Sequence, residues 1–279
     1  MAQAIREDLS AAWVLRACSR EGGEGLLSNE TLLAGKGSLG LDAIVHCAWS
    51  SVPADAGLKL DASASPDIAA LKQWIARLAD DAHPPLFVFM STGAVYGPAP
   101  ERPSREDDVP HPLGAYGEAK LHAEQLLLQS GLPVCILRVV PLYGLPEGKQ
   151  KRQGVISHIV SAALRGHTFF QWGQDSFKDY LHRTDFCEAL QLVVEQRLQG
   201  GIWNLSSGEA AHLGELVKFV EQITGRSITV EMHPSPAWDV RINRLDISKL
   251  QHATRWSPRI SIKEGIEREV QRLAALLAS

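Results

Sequence analysis

Residues 44–90 constrain the fold of this chain more than any other segment. They contain two continuous apolar runs, at 44–48 and 86–90, and such runs are typical of parallel strands buried on both faces. The residues between them predict a helix over 66–81, with Ser65 as its N-cap, Pro66 at its first position and one apolar stripe. A strand, a helix and a second parallel strand predict the right-handed crossover of an α/β sheet.

The rest of the chain repeats this alternation. A helix is predicted over 116–129, and Gly131 closes it before a third buried strand at 133–140. Its apolar side carries Leu121, Leu126, Leu127 and Leu128. After Gly148 the elements are shorter. Strands are predicted there at 168–172, 201–205 and 227–232, and helices at 155–165, 184–196 (with Thr184 as N-cap), 213–224 and 262–277.

Hydroxyl, phenol and amine side chains follow the strand at 86–90. The strand ends in Ser-Thr-Gly-Ala-Val-Tyr-Gly at 91–97, and Tyr116 and Lys120 stand one helical turn apart in the next helix. A neighbouring cation favours the phenolate, so Lys120 is predicted to lower the pKa of Tyr116 toward neutral pH. Thr92 can hydrogen-bond the same substrate oxygen. The arrangement predicts acid–base chemistry coupled to hydride transfer.

The first 41 residues give the least definite pattern. Residues 5–20 fit a helix, and they fit equally a segment that ends in a strand at 12–18. Gly22, Gly23 and Gly25 predict a loop, and residues 29–33 predict a short helical turn. Residues 35–40 spell G-x-G-x-x-G, but they lead into a strand rather than out of one. A surface loop is therefore favoured over a phosphate-binding turn.

Composition excludes several classes of function. A net charge of −4 and a pI near 6.2 give no attraction for nucleic acid or an anionic membrane. Acidic residues near the N-terminus and the lack of a long apolar run argue against a signal peptide and a membrane span, so a cytoplasmic location is expected. The scattered cysteines predict buried or inert thiols in a reducing compartment, with no metal site or disulfide: Cys18, Cys47, Cys135 and Cys187.

Seven motifs, in chain order from about residue 42, resemble those of the extended short-chain dehydrogenases, in particular the NAD-dependent epimerase/dehydratase group that acts on nucleotide-sugars. Asp-Ala-Ile-Val-His-Cys-Ala at 42–48 is similar to the family's third strand, 91–97 to its Ser-Ser-x-x-Val-Tyr-Gly, and 116–120 to its Tyr-x-x-x-Lys. Residues 138–144 resemble its Arg-Pro-x-x-x-Tyr-Gly and 178–182 its Arg-Asp-Tyr-Ile-His. Residues 204–208 resemble its Asn-Ile-Gly-Ser-Gly, and 256–258 its Gly-Trp-x-Pro.

The resemblance implies a fold and a division into domains. The implied fold is α/β: a Rossmann-like, mostly parallel sheet flanked by helices, N-terminally incomplete, with a smaller C-terminal α/β substrate-binding subdomain. The nucleotide-binding domain would cover residues 1–147, with 182–206 returning to it. The substrate-binding subdomain would be mainly residues 148–279.

The resemblance also implies the roles of individual residues. Thr92 would be the hydroxyl partner, Tyr116 the acid or base, and Lys120 the cation that also holds the nicotinamide ribose of NAD or NADP, with NAD favoured. The residues that would contact the cofactor are Cys47, Ala48, Trp49, Ser91, Tyr116, Lys120 and Val140. The residues that would face a nucleotide-sugar or similar small polar substrate are Thr92, Pro141, Lys178 and Arg241.

The chain departs from the family pattern at several places. The first strand and its Gly-x-x-Gly-x-x-Gly turn, which would hold the pyrophosphate, are not found in the first 41 residues. Lys178 replaces an arginine, which keeps the charge but loses the bidentate fork, and the arginine expected before Asp239 is replaced too. Gly93 and Ala94 stand where sugar 4,6-dehydratases carry Asp-Glu, which disfavours a dehydratase.

Two hypotheses follow from the pattern and its departures. The intact site favours an NAD(P)-dependent epimerase or reductase of nucleotide-sugar-like substrates, with Tyr116 as acid or base. The missing N-terminal unit favours a cofactor-deficient, non-catalytic relative that acts as a ligand-binding or assembly subunit, or a truncated ordinary enzyme. Family precedent suggests a dimer in which the helices at 66–81 and 116–129 form a four-helix interface, although both apolar stripes could equally face their own sheet.

Overall fold

The computed structural model describes residues 1–19, 27–35, 38–51, 65–98, 101–145, 154–173, 176–236 and 239–278. Their helices are α1 (Ala2–Leu9), α2 (Asn29–Ala34), α3 (Pro66–Ala79), α4 (Ala115–Gln129), α5 (Val155–Arg165), α6 (Arg183–Glu195), α7 (Leu213–Thr224), α8 (Ser248–Thr254) and α9 (Ile262–Ala278). Their strands are β1 (Cys18–Ser19), β2 (Leu27–Ser28), β3 (Ala43–His46), β4 (Leu86–Thr92), β5 (Val134–Val139), β6 (Leu142–Tyr143), β7 (Phe169–Trp172), β8 (Phe177–Asp179), β9 (Leu181–His182), β10 (Gly201–Leu205), β11 (Ala210–His212), β12 (Val230–His233) and β13 (Ile242–Asn243). A 3-10 turn over Gly93–Tyr96 follows β4.

Four parallel strands form the main sheet, in the order β10-β5-β4-β3. The predicted strands at 44–48, 86–90, 133–140 and 201–205 supply all four, within a few residues at each end. Every residue of β5 and all but the last of β4 are buried, which explains their unbroken apolar sequence. The predicted α/β fold with a Rossmann-like parallel sheet is confirmed. Within the described residues, β3 has a ladder partner on one side only.

Alternate residues of β4 face two different helical layers. Phe87 and Phe89 pack against the apolar stripes of α3 and α4, in a cluster that includes Leu71, Leu78 and Leu127. The intervening residues pack on the other side with side chains from α1 and α6: Val88, Met90, Ile5, Leu9, Phe186 and Leu190. The apolar stripe of α3 therefore faces its own sheet, which was one of the two alternatives for this helix.

The ends of the helices confirm some predicted caps and correct others. Ser65 caps α3, because its hydroxyl accepts a hydrogen bond from the Asp67 amide at 3.2 Å. Gly131 has the positive φ expected just beyond the end of α4. The prediction for Thr184 was wrong: His182 is the N-cap of α6, and its Nδ1 accepts from the Thr184 amide at 3.3 Å. On α4, Leu128 does not share the buried side and is 46% exposed.

The N-terminal part matches neither of the two alternatives in full. Helix α1 ends at Leu9, and the strand that follows covers only Cys18–Ser19, which pairs with β2. The predicted short helical turn is confirmed as α2. The predicted loop at 22–25 lies outside the described residues, and the absence of a first strand and glycine turn stays a prediction.

The glycine-rich segment at 35–40 lies at the amino ends of the strands, and its residues 36 and 37 are outside the described part. The Leu39 amide donates to the Asp81 carboxylate at 3.2 Å, and Asp42, just before β3, accepts from the Leu86 amide. The Leu39 amide is not available to hold a phosphate, because it already donates its hydrogen bond to a carboxylate. The interpretation as a surface loop is therefore supported.

A second apolar core lies in the C-terminal lobe, which we define as α5, α7, α9 and the strands β7, β8 and β11–β13. The three helices pack on one another, and their buried residues include Ile159, Leu216 and Ile266. In contrast α6 packs in the first core and β10 adds to the main sheet. The domain boundaries themselves stay a prediction.

Of the four cysteines, Cys135 and Cys187 are buried and Cys47 is half-buried. Cys18 is exposed, so the four thiols are not all buried, and their inertness stays a prediction. None of the helices in the described residues is both long and apolar enough to cross a membrane.

Replacing Gly97 with alanine is expected to lower the free energy of unfolding by about 3 kcal/mol or more. Gly97 has φ +69°, and an added Cβ would collide with the His111 carbonyl oxygen, which is main chain and cannot swing away. Gly131→Ala is the matched control, because φ is +73° there but the Cβ meets nothing within 4 Å, and a loss of about 1 kcal/mol is expected. Urea unfolding measures both; equal losses would show that the collision costs nothing.

Candidate active site

The carboxyl end of β4 presents Thr92 at the start of a tight turn. Its hydroxyl accepts a hydrogen bond from the Ala94 amide at 3.2 Å and so caps the 3-10 turn. Gly93 allows a close approach by the C-terminal lobe, because a Cβ there would lie 2.7 Å from Asn243 Oδ1. Thr92 therefore stands between the main sheet and β13.

Helix α4 brings Tyr116 next to Thr92, as predicted. Burial raises the pKa of Tyr116 to about 12, and a hydrogen bond with the Thr92 side chain acts in the opposite direction without cancelling it. This corrects the prediction of a lowered pKa, since desolvation of the phenolate outweighs stabilisation by neighbours. At neutral pH the phenol therefore carries its proton.

Lys120 lies one turn further along α4, with its ammonium enclosed. Its Nζ donates to the Met90 carbonyl oxygen at 2.6 Å and lies 3.9 Å from the ring centroid of Trp49 and 4.7 Å from that of Phe89. Burial lowers the pKa of Lys120 to about 7, although Cys47, Asp67 and Glu124 raise it. The amine is therefore about half protonated at neutral pH.

The segment after β3 carries three of the predicted cofactor residues. Cys47 is half-buried, and burial raises the pKa of its thiol to about 11; Ala48 is exposed. Trp49 packs edge-on against Phe89, and its indole N–H is buried without a hydrogen-bond partner in the described part of the chain. That indole is an unused donor beside Lys120.

Two other predicted cofactor residues are enclosed by protein. The Ser91 hydroxyl donates to the buried Glu124 carboxylate, which also accepts from Arg138. Val140 is buried and its amide donates to the Leu205 carbonyl oxygen at 3.2 Å. Both side chains are buried, and their contact with the cofactor stays a prediction.

The three remaining predicted substrate residues lie along β8 and β9, because the Phe177 amide donates to the Arg241 carbonyl oxygen at 2.7 Å and the Leu181 amide to that of Pro141 at 3.1 Å. Pro141 is exposed at the end of β5, and Arg241 is exposed just before β13. Lys178 forms an ion pair with Asp239, with 2.7 Å between Nζ and Oδ1. Because Asp239 already balances it, Lys178 is not a free cation.

The structure adds residues that sequence reasoning missed. Asn243 pairs with Lys178 across β13 and β8 and so sits between that ion pair and Thr92. Beyond it, Ser235 contacts Asp239 at 3.4 Å and approaches Gly173, which follows Trp172. Trp172 is 55% exposed and stacks on His233, with ring centroids 4.6 Å apart. Asn243 could not be predicted because a strand of two residues has no periodicity. For the other residues, the exposed tryptophan was the feature that could have indicated a site.

The residues present fit one end of a dinucleotide. Thr92, Tyr116 and Lys120 meet at the carboxyl edge of a parallel sheet, where such folds bind ligands, and the Trp49 N–H offers a further donor. The glycine-rich segment of the described residues lies at the opposite edge, near Asp81. These residues thus fit the nicotinamide-ribose end of the dinucleotide. For the pyrophosphate end, the described ranges contain no glycine turn.

Lys120 makes stability depend on pH. Below pH 7 the folded and unfolded states both hold the proton, so the cost of burying the ammonium is complete. Between pH 7 and the ordinary lysine value of 10.5 only the unfolded state holds it, and this cost falls as pH rises. Lys120→Met is therefore expected to raise the free energy of unfolding at pH 6 to 7. The difference between variant and parent should shrink toward pH 10.

The measurement is urea unfolding at a series of pH values, read as the difference between variant and parent. Lys249→Met is the matched control, because Lys249 also bonds a carbonyl oxygen at 2.6 Å and covers a tryptophan ring at 4.3 Å, but is exposed. A pH-independent difference for Lys120→Met would contradict the expected titration.

Comparison with known proteins gives a consistent result. A model of the NAD dependent epimerase/dehydratase family matches residues 13–206. UDP-glucuronic acid decarboxylase 1 of Arabidopsis thaliana is 30% identical over 198 residues, which cover 66% of this chain and 44% of the relative. An uncharacterized UDP-glucose epimerase of Bacillus subtilis is 30% identical over 197 residues, covering 68% and 61%. The matches thus span less than two thirds of these relatives.

Solved structures share the fold. The UDP-glucose 4-epimerase of Thermus thermophilus, in complex with NAD, superposes with a TM-score of 0.81 at 23% identity, covering 98% of this chain and 95% of that one. The UDP-glucose 4-epimerase of Thermotoga maritima, with UDP-glucose, gives 0.82 at 21% identity, covering 99% and 96%. Because the family model spans more than half of the chain and the catalytic-type residues lie within it, this protein belongs to the NAD dependent epimerase/dehydratase family.

Proposed function

We propose that this chain is an NAD(P)-dependent epimerase or reductase of nucleotide-sugar substrates, with Tyr116 as its acid or base. The observation that carries the proposal is the meeting of Thr92, Tyr116 and Lys120 at the carboxyl edge of the sheet. Family membership and relatives named as UDP-sugar epimerases and decarboxylases support it. Bound NAD(P) would supply the hydride acceptor and donor.

In a reductase, Tyr116 acts as an acid. With a pKa near 12 its phenol keeps the proton at neutral pH, so it donates that proton to a sugar carbonyl oxygen in the reductive direction. Thr92 holds the same oxygen through its hydroxyl. In the oxidative direction the phenolate form of Tyr116 accepts the proton of the sugar hydroxyl at Oη, and a positive charge on Lys120 favours that phenolate.

The C-terminal lobe is proposed to hold the nucleotide part. The ion pair of Lys178 and Asp239 and the exposed ring of Trp172 lie along one line of contacts that begins at Asn243. A carboxylate beside an ammonium offers both an acceptor and a donor to a ribose and diphosphate, and a flat exposed ring can stack on a base. A homodimer and a cytoplasmic location complete the proposal, by precedent of the family.

Isothermal titration of the protein with NAD(H) and with NADP(H) tests the function. Binding of one of them is expected, with the preferred cofactor identified by the lower Kd. Lys120→Met should weaken binding about 10-fold or more, and the matched variant Lys249→Met should leave it unchanged. No binding of either cofactor at millimolar concentration would overturn the proposal and favour the non-catalytic, ligand-binding alternative.

A further inference from the structure

A buried carboxylate lies behind the proposed active site and joins three elements of the first core. Glu124, on α4, accepts a hydrogen bond from Ser91 on β4 and three contacts from Arg138 on β5, at 3.1, 3.2 and 2.6 Å. Glu124 and Arg138 are each 1% exposed. Burying such a pair is costly and is no evidence of stabilisation by itself, so its placement calls for another account.

The placement relates the pair directly to the site. Glu124 follows Lys120 by one turn and Tyr116 by two turns on the same helix, and Ser91 precedes Thr92 on the strand. One carboxylate therefore fixes the helix that carries the phenol and amine against the strand that carries the hydroxyl. The hydroxyl of Ser91 supplies the tie to β4, and the guanidinium of Arg138 supplies the tie to β5.

The charges around Lys120 come from several elements. His46 and Cys47 face it from the end of β3, Asp67 from the start of α3, and Glu124 from α4 itself. Of these, Asp67 already accepts hydrogen bonds from the Ser50 amide and hydroxyl. Arg138 lies on the far side of Glu124 and contacts the ring of Tyr96.

We propose that Glu124 is a positioning residue of the Thr92, Tyr116 and Lys120 site: its carboxylate clamps α4 to the strand that ends in Thr92 and provides a counter-charge for Lys120. The effect of Glu124 on catalysis rests on the proposed function. Its effect on the charge of Lys120 does not, because that effect is present in the protein without cofactor. The Glu124–Arg138 pair thus aligns the site residues and affects the charge of Lys120, in addition to any contribution to stability.

The test follows the Lys120 ammonium by NMR of labelled lysine side chains in the ligand-free protein, with Lys120→Arg to assign the signal. In Glu124→Gln the titration midpoint is expected to fall by about 0.5 or more. Glu124→Asp keeps the charge and should restore the midpoint to within about 0.3 of the parent. An unchanged midpoint in Glu124→Gln would overturn the proposal.

The chain contains a matched control for this experiment. Glu269 is also 1% exposed, accepts from Ser157 at 2.5 Å and is held by two bonds of 2.9 Å from Arg272, but it lies in the second core. Glu269→Gln should destabilise the protein comparably and leave the Lys120 midpoint in place. An equal shift in Glu269→Gln would mean that the effect is a general loss of structure, and would overturn the proposal.

Two further variants complete the design. If Glu124→Gln does not fold, Glu124→Gln with Arg138→Met removes the carboxylate without leaving a buried guanidinium unpaired, and the same downward shift is expected. Ser91→Ala removes only the tie to β4, so it should keep the Lys120 midpoint and lower kcat about 10-fold with KM nearly constant. A raised KM for cofactor with constant kcat would assign Ser91 to cofactor binding and contradict the clamp.

Discussion

Replacing Tyr116 with phenylalanine is expected to reduce turnover by about 10²- to 10⁴-fold and to leave the Kd for cofactor within about 2-fold. The variant keeps the ring and removes only the hydroxyl, whose proton is retained at neutral pH because burial raises its pKa to about 12. The reaction then lacks its proton donor while the binding surface is preserved. Steady-state kinetics and isothermal titration measure the two quantities separately.

A second tyrosine provides the control. The Tyr143 hydroxyl is buried without a hydrogen-bond partner among the described residues and packs against Gly265 in the second core. Tyr143→Phe removes a buried hydroxyl that has no hydrogen-bond partner among the described residues. Turnover should therefore persist, and the free energy of unfolding should stay the same or rise slightly. Unchanged turnover in Tyr116→Phe would rule out the role given to its phenol.

Replacing Arg138 with methionine is expected to lower the free energy of unfolding by about 3–5 kcal/mol. The variant fills a similar volume but leaves the Glu124 carboxylate without its charged partner in the core, where Ser91 remains as a hydrogen-bond donor. Adding Glu124→Gln should recover most of the loss, because no buried charge then remains unpaired. Urea unfolding of the single and double variants measures both steps.

An exposed ion pair provides the control for this prediction. Arg102 and Asp108 form a similarly close pair at 2.6 Å, but the Arg102 side chain is 49% exposed. Arg102→Met should cost no more than about 1 kcal/mol, because water replaces the lost contact. If the double variant at positions 124 and 138 is no more stable than Arg138→Met, an unpaired buried charge is not the cause of the loss.

The sheet could be predicted from sequence because its strands are short and mostly apolar, and the two central ones, β4 and β5, are buried on both faces. The site was harder to predict in detail. Sequence spacing placed Tyr116 and Lys120 on one face of α4, but the pKa shift of Tyr116 depends on how deeply packing buries that face. The ring nearest to Lys120 belongs to Trp49, which follows a different strand, β3, so no local pattern could indicate this contact.

The same reasoning explains why the partner of the Ser91 hydroxyl and the position of Asn243 were not predicted. A hydroxyl at the end of a strand suggests a ligand contact, but the alternation of side chains along β4 turns Ser91 into the core, toward Glu124. Asn243 reaches the site only because β13 pairs with β8 far along the chain. Both outcomes depend on register and long-range pairing, which a single sequence does not specify.

One fully buried amide ties the main sheet to the segment that carries Asn243. Asn204 accepts from the Tyr96 hydroxyl at 2.8 Å and donates to the carbonyl oxygens of Ser104 at 2.9 Å and Asp246 at 3.1 Å. The loop through Ser104 and the entry to α8 are thereby fastened to the edge strand of the sheet. The Ser104 amide also donates to the carbonyl oxygen of Arg244, which directly follows Asn243. We therefore expect the segment that carries Asn243 to be held against the main sheet and to keep its position when a ligand binds.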